Sequence, residues 1–311
     1  MRKYYTRPCN FYYGNYAKKL LRNKKALPLA GNSKIAFDQI EIFHKKKRGK
    51  TKSQLVSINS INSLNKIIKD TVKSDLKNIV SKRKSILGLS FANPKIMGVL
   101  NITPDSFSDG GLFFNSSKAI KHAISMIKNG ATIIDIGGES TRPGSRTISK
   151  EDEWNRIKNT ISKLKKDIPK MLLSLDTRKS YIMKKGIENK VDIINDVSGL
   201  KFDKKSFKII NKKKIPFILH HMQGSPNTMQ KNPKYSDALL DIYDFFEKKI
   251  NYCLKNKYKK ENIIVDPGIG FGKNLDHNLR IISKISTFHS LGCPILIGTS
   301  RKRFIEHIVT K

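Results

Sequence analysis

From Lys95 onward, short apolar runs alternate with longer helical patterns. The apolar runs predict strands at Ile96–Leu100, Ile133–Ile136, Leu172–Leu175, Val191–Ile194, Phe217–His220, Ile263–Val265 and Ile295–Ile297. Helical patterns fill the gaps, around 116–129, 151–168, 178–189, 204–212, 235–256 and 275–286, and a further helix begins near Arg303. Strands alternating with helices predict βα units and a parallel sheet. Each apolar run ends abruptly in polar and turn residues, as in KIMGVLNITPDSFSDGG at 95–111. In an open sheet only the loops near a switch point would be chemically rich. Here nearly every loop is, which predicts an α/β chain of the (β/α)8 TIM-barrel type. A complete barrel takes about 250 residues, whereas residues 94–311 number 218. The shortfall is about one βα unit of ~30 residues, so the expected barrel domain, 94–311, stops after about seven units.

Residues 1–93 read as a small basic N-terminal extension. Residues 1–25 are rich in Tyr and Asn and carry no arguable chemistry. Ala26 to Ile42 holds a Gly-Asn turn between apolar runs and predicts a strand pair. Lys45 to Lys52 is a charge run, expected to be a solvated turn or tether, and Gln54 to Ile58 is a further short strand. Leu64, Ile68, Val72, Leu76 and Ile79 recur at spacings of three and four, predicting an amphipathic helix capped by Asn62 or Ser63 and packed on the main domain. Ser81 to Asn93 is expected to be a linker, with Pro94 at the boundary.

Composition changes the picture in two places. Hydrophobic residues make up 38%, enough for a sizeable core, but the net charge is +37. Residues 1–93 contribute +18 of that and the other 218 residues +19, so the excess is general. Such charge suits nucleic acid or an anionic membrane. The lysines lack the aromatic and arginine interleaving of a single-strand binder, however, and solvated faces are the plainer reading. Cys9, Cys253 and Cys293 have no metal-ligand spacing and fit free thiols in a reducing cytoplasm. Neither a secretory signal nor an apolar run of membrane-spanning length (about 18 residues) is evident.

The chemistry gathers past the strand ends. Strand two leads into Asp135, then Glu139, Ser140, Thr141, Arg142, Pro143 and Gly144, where Arg142 is a candidate anion clamp. Later strands end in Asp176-Thr177-Arg178, Asn195-Asp196, His220-His221, Asp266 followed by PGIGFGK, and Gly298-Thr299-Ser300-Arg301-Lys302. A barrel would collect Asp176, Asn195, Asp266 and Lys302 at one mouth. Singly, Asp and Asn are ordinary helix caps. Together, two carboxylates and an amide suit a flat heterocycle with an amidine-like NH edge, and the lysine can donate to a ring acceptor. His220 and His221 lack a third ligand at suitable spacing, so no metal site is expected there. GIGFG has the wrong spacing for a dinucleotide fingerprint.

The segments MGVLNITPDSFSDGG, GATIIDIGGESTRPGS, SLDTRKS, INDVSG, HHMQGSP, VDPGIGFGK and GTSRKRF resemble, in order, those of the dihydropteroate synthase family across about residues 95–305. The resemblance implies a (β/α)8 fold, usually dimeric, and condensation of p-aminobenzoate with (7,8-dihydropterin-6-yl)methyl diphosphate to give 7,8-dihydropteroate and diphosphate. It implies that Asp176, Asn195, Asp266 and Lys302 bind pterin. Asn101 would hold Mg²⁺ with the diphosphate, and Arg142 and Lys302 would stabilise the departing anion. Phe107, Thr141, Pro143, Phe271 and Ser300 would shape the p-aminobenzoate pocket, where sulfonamides would compete. The family's eighth strand supplies an arginine and a histidine to the diphosphate site. This sequence shows no counterpart, so an incomplete anion site and an impaired dimer are expected. An inactive pterin binder, a pterin-dependent methyltransferase domain and a nucleic-acid binder acting through residues 1–93 are the alternatives.

Overall fold

The computed structural model describes residues 2–46, 50–103, 112–141, 144–302 and 304–305. The N-terminal stretch folds into an antiparallel sheet with two helices. Strand β1 (Tyr4–Tyr13) pairs with the 13-residue β3 (Asn32–His44), whose other edge takes β2 (Leu27–Leu29) and β4 (Lys52–Ser57). Helix α1 (Gly14–Arg22) follows β1, and α2 (Lys66–Val80) follows a 3₁₀ turn at Ile58–Ser63. The expected strand pair is therefore half of a four-stranded sheet. The β2–β3 hairpin turns at Ala30 and Gly31, both with positive φ (51° and 69°), the backbone that a two-residue hairpin requires. Helix α2 is capped by Asn65, whose side chain accepts from the Ile68 N–H at 3.0 Å, rather than by Asn62 or Ser63.

The second sheet is parallel: β5 (Ile96–Asn101), β6 (Ala131–Gly137), β7 (Leu172–Asp176), β8 (Ile193–Asp196), β9 (Phe217–His220) and β10 (Ile263–Asp266). Neighbours in space are neighbours in sequence from β5 to β10, so the described sheet has no switch point and winds in one direction, as barrel sheets do. Helices α3 (Leu112–Lys128), α4 (Lys150–Asp167), α5 (Ser180–Glu188), α6 (Ser206–Lys213), α7 (Ala238–Lys255) and α8 (Leu275–Ser283) alternate with the strands. The seventh expected strand, Ile295–Ile297, is reduced to a bridge. Leu296 N–H donates to Val265 O at 2.9 Å and Val265 N–H to Pro294 O at 3.0 Å. Pro294 has no N–H to extend the ladder, and Ile297 is exposed.

Side-chain parity sorts the strands into two faces. Leu100, Ile134, Ile136, Leu173, Leu175, Ile194, Phe217, Leu219, Ile263 and Val265 join the main core beneath the helices. Met97, Ile133, Leu172, Ile193, Ile218, Ile264 and Leu296 form a separate cluster on the inner face. Ile86, Leu89 and Phe91 fill the base of that cluster, with Ile86 fully buried in a tight turn bonded to Leu89 in both directions. The segment expected to be a linker is thus a plug for the N-terminal end of the parallel sheet.

The N-terminal layer is also tied to the outside of the sheet. Tyr5 and Phe43 belong to the main core. Lys45, expected in a solvated charge run, is buried and bridges Asp241 and Asp244 of α7, each at 2.7 Å. Arg2 pairs with Asp75 and with Glu247. Lys284 reaches Glu41 at 2.8 Å, and Ser286 donates to Pro8 O at 3.1 Å. Among the described residues no helix is long and apolar enough to cross a membrane.

Candidate functional site

The same parity that separates the two cores sets the chemistry. On the inner face, Ile133 is followed by Asp135 and Gly137, Leu172 by Ser174 and Asp176, Ile193 by Asn195, Ile218 by His220, and Ile264 by Asp266. Apolar residues fill the base, and polar residues occupy the C-terminal rim. The rim is contiguous: Asn101 pairs in register with Gly137, Gly137 with Asp176, and Asp176 with Asn195. Asp266 pairs with His220 on the far side. The expected pterin-binding set, Asp176, Asn195, Asp266 and Lys302, therefore lies along one edge of the molecule.

Asn195 Nδ2 donates to Asp135 Oδ2 at 2.9 Å. Its Oδ1 is buried without a hydrogen-bond partner among the described residues, and so are Asp176 Oδ1 and Asp135 Oδ1. Buried acceptors left unpaired cost about 1–3 kcal/mol each, so these three, gathered on neighbouring strands, mark a place prepared for donors from outside. Burial, the Asp135 charge and more distant carboxylates push the Asp176 carboxyl well above its usual range. Burial also raises Asp135, against the Ser174 hydroxyl and the Asn195 amide. Asp266 is raised to about 6 by burial, which the Gly268 N–H and the charges of Lys273 and Lys302 oppose.

The loop after β10 is wound tightly. Gly268 N–H donates to Asp266 Oδ1 at 2.7 Å, and φ at Gly268 is +66°. A Cβ there would lie 2.1 Å from His221 O, so only glycine fits. Lys273 is buried and donates to Gly268 O (2.9 Å), Phe271 O (2.8 Å) and His221 O (3.2 Å). This fixes the turn that presents Phe271. Lys302 Nζ stands 4.2 Å from the centre of the Phe271 ring, and burial lowers its pKa against the pull of Asp266. His220 packs edge-on to Phe271 at 4.7 Å, and its Nδ1 lies 3.0 Å from Val197 O. Burial, then Lys273, drops its pKa to about 3. The histidine pair is a neutral wall, with His221 Nδ1 at 3.2 Å from Lys273 Nζ.

The remaining expected residues divide. Asn101 ends β5 on the inner face, half-buried. Thr141 is half-buried on the β6–α4 loop, and Phe271 is half-buried under Lys302. Ser300 is exposed in a turn. Phe107, Arg142 and Pro143 lie outside the described residues. Sequence reasoning gave no role to Asp135 or Lys273. A lone acid inside the run ATIIDIG was the available signal for Asp135, since a charge at an inward strand position must serve a neighbour or a ligand.

Residues 97–311 match the family described as pterin binding enzyme. Dihydropteroate synthase from Haemophilus influenzae is 40% identical over 223 residues, covering 72% of this chain and 80% of the relative. The enzyme of the same name from Clostridium beijerinckii is 43% identical over 210 residues, covering 68% and 75%. Among solved structures, Yersinia pestis dihydropteroate synthase in a sulfonamide complex superposes with a TM-score of 0.67 at 38% identity, covering 73% of this chain and 83% of that one. Dihydropteroate synthase from Xanthomonas albilineans in complex with 7,8-dihydropteroate gives 0.63 at 30% identity, covering 74% and 79%. With the family model matching residues 97–311 and relatives about 40% identical over more than two thirds of the chain, the chain belongs to the pterin-binding enzyme family and, within it, to the dihydropteroate synthases.

Proposed function

We propose that this chain carries out the reaction for which its relatives are named: p-aminobenzoate and (7,8-dihydropterin-6-yl)methyl diphosphate give 7,8-dihydropteroate and diphosphate, a step of folate biosynthesis. The observation that carries the site assignment is the cluster of buried acceptors without a partner among the described residues, Asp135 Oδ1, Asp176 Oδ1 and Asn195 Oδ1. Set beside Asp266, they match the NH-rich edge of a pterin. Asp176, Asn195 and Asp266 bind and orient that edge, and Lys302 donates to a ring acceptor. Phe271, Thr141 and Ser300, with Phe107 and Pro143 as the family resemblance implies, shape the p-aminobenzoate pocket.

The chemistry follows from where charge develops. The C–O bond to diphosphate breaks early, leaving positive charge on the pterin methylene and ring. Asp176 stands where it stabilises that cation, and Lys302, with Arg142 by resemblance, stabilises the departing anion. The neutral arylamine forms the new C–N bond and gives up a proton to solvent. Mg²⁺ would be held through Asn101, which ends β5 at the rim, is half-buried and offers one side-chain oxygen. Magnesium commonly takes few protein ligands beside phosphate and water, and when bound it would neutralise diphosphate charge. Three buried free cysteines fit the reducing cytoplasm. The test is product formation: the purified chain with both substrates and Mg²⁺ should yield dihydropteroate, and a sulfonamide should inhibit competitively with p-aminobenzoate. Tight pterin binding without product would reject the catalytic reading.

A further inference from the structure

Beside the ring-binding carboxylates lies a buried ion network with no part in the contacts assigned so far. Glu139 follows β6, Arg178 and Lys179 follow β7, and Glu153 sits in the first turn of α4. Glu139 Oε2 accepts from Arg178 Nε at 2.9 Å, and its Oε1 accepts from Lys179 Nζ at 3.0 Å. Lys179 Nζ also donates to Glu153 Oε2 at 2.6 Å, and the Thr177 hydroxyl donates to Glu153 Oε1 at 2.6 Å. All four charged residues are buried, so the network is neutral as a unit. Buried ion pairs add little net stability over apolar packing, but they impose one geometry.

That geometry joins two parts of the site. Glu139 Oε1 accepts the Ile148 N–H at 3.1 Å, and Arg178 Nη2 donates to Thr147 Oγ1 at 2.9 Å. The two ends of the β6–α4 loop, which carries Thr141, are thus held together through one carboxylate and one guanidinium. Ser149 caps α4 immediately beyond. On the other side, Arg178 and Lys179 follow Asp176 by two and three residues, and the guanidinium lies 4.1 Å from the Phe202 ring centre. The residues that directly follow Asp176, Thr177 to Lys179, are therefore the ones bonded to the loop anchor.

We propose that Glu139, Arg178, Lys179 and Glu153 form a positioning unit that holds the β6–α4 loop in register with Asp176, so that ring and leaving group are gripped together while the C–O bond breaks. This rests on the transfer reaction proposed above. Arg178→Lys tests it, because lysine keeps the charge but replaces the planar fork, which bonds Glu139 from Nε and Thr147 from Nη2, with a single nitrogen on a flexible stem. Expected is a fall in kcat of about 10- to 100-fold, the scale of a small misplacement of reacting groups. The Kd for a dihydropterin lacking diphosphate should change less than about twofold, because the variant leaves every ring-binding side chain in place. Thr147→Val, which keeps the shape and removes the acceptor, should move kcat the same way by less. Hydrogen exchange gives a readout independent of turnover: dihydropterin should slow exchange at the Ile148 amide in the unaltered protein and not in Arg178→Lys. Equal ligand-induced protection in the two proteins, or a lowered melting temperature with unchanged kcat, would overturn the proposal. Absence of product from the unaltered protein would instead reject the function reading, and the exchange measurement would still decide the network's role.

Discussion

In the N-terminal layer, Glu41 takes Arg7 at 2.7 Å and Lys284 at 2.8 Å, while Asp75 takes Arg2 at Oδ1 and keeps Oδ2 buried without a partner among the described residues. At the rim of the parallel sheet, Asp176 keeps a buried oxygen without a partner among the described residues, and Asp266 Oδ1 accepts the Gly268 backbone N–H. Both regions bury carboxylates, and the outcomes differ. Burial works against Glu41, yet Lys284, Ser53 and Arg7 hold it below the usual carboxylate range. Burial wins at Asp266 and Asp176, and also at Asp75, where Arg2 opposes it without prevailing, so the contrast lies between the rim and Glu41. The first region uses its charges to lock the layer onto α7 and α8. The second leaves its charges incompletely satisfied, which lowers stability and reserves them for a ligand.

The largest expected effect tests the second half of that contrast. Asp266→Ala should weaken pterin binding about 1,000-fold, the loss of two charge-assisted hydrogen bonds at about 2 kcal/mol each. Titration calorimetry with a dihydropterin measures it, and unchanged affinity would remove Asp266 from the site. Arg2→Ala tests the first half. It leaves Asp75 buried with its main counter-charge gone, at a cost of about 3 kcal/mol in unfolding free energy, read from urea denaturation. Pterin affinity of the folded fraction should not move. Loss of affinity without loss of stability would mean that the layer acts on the site rather than on the fold.

What could be read from sequence followed the same division. The strands of the parallel sheet were legible because runs such as ATIIDIG and NIIVDPG put apolar residues on both faces and stop at a polar residue. Asp176, Asn195 and Asp266 were therefore visible as the last inward positions. The N-terminal layer was not legible to the same degree. Lys45 looked solvated because its partners, Asp241 and Asp244, are about 200 residues away in the chain. Ile86 looked like linker because a brief apolar patch between Lys84 and Gly88 has no period to reveal that it plugs the sheet. Asn59, Asn62 and Asn65 all resemble helix caps, and only the backbone singles out Asn65. Strand β1 mixes Tyr, Pro, Cys and Asn, and its pairing with β3 is a matter of long-range register.

The smallest expected effect separates charge from shape at a single atom. Asp266→Asn retains an oxygen for the Gly268 N–H but carries no charge. A carboxyl whose folded-state pKa lies above its unfolded value binds its proton more tightly when folded. Below about pH 4 both states are protonated, and the group makes no difference. Between about pH 4 and pH 6 the unfolded chain ionises first and stability falls; above about pH 6 the full deficit persists. The variant should therefore melt a few degrees higher than the unaltered protein at pH 8 and at the same temperature at pH 3.5, while still losing most pterin affinity. A higher melting point at both pH values would assign the gain to packing. A lower one at pH 8 would show that Lys273 and Lys302 stabilise the ionised Asp266 by more than burial costs it. In that case the rim would resemble the N-terminal layer, with its charges committed to the fold before any ligand arrives.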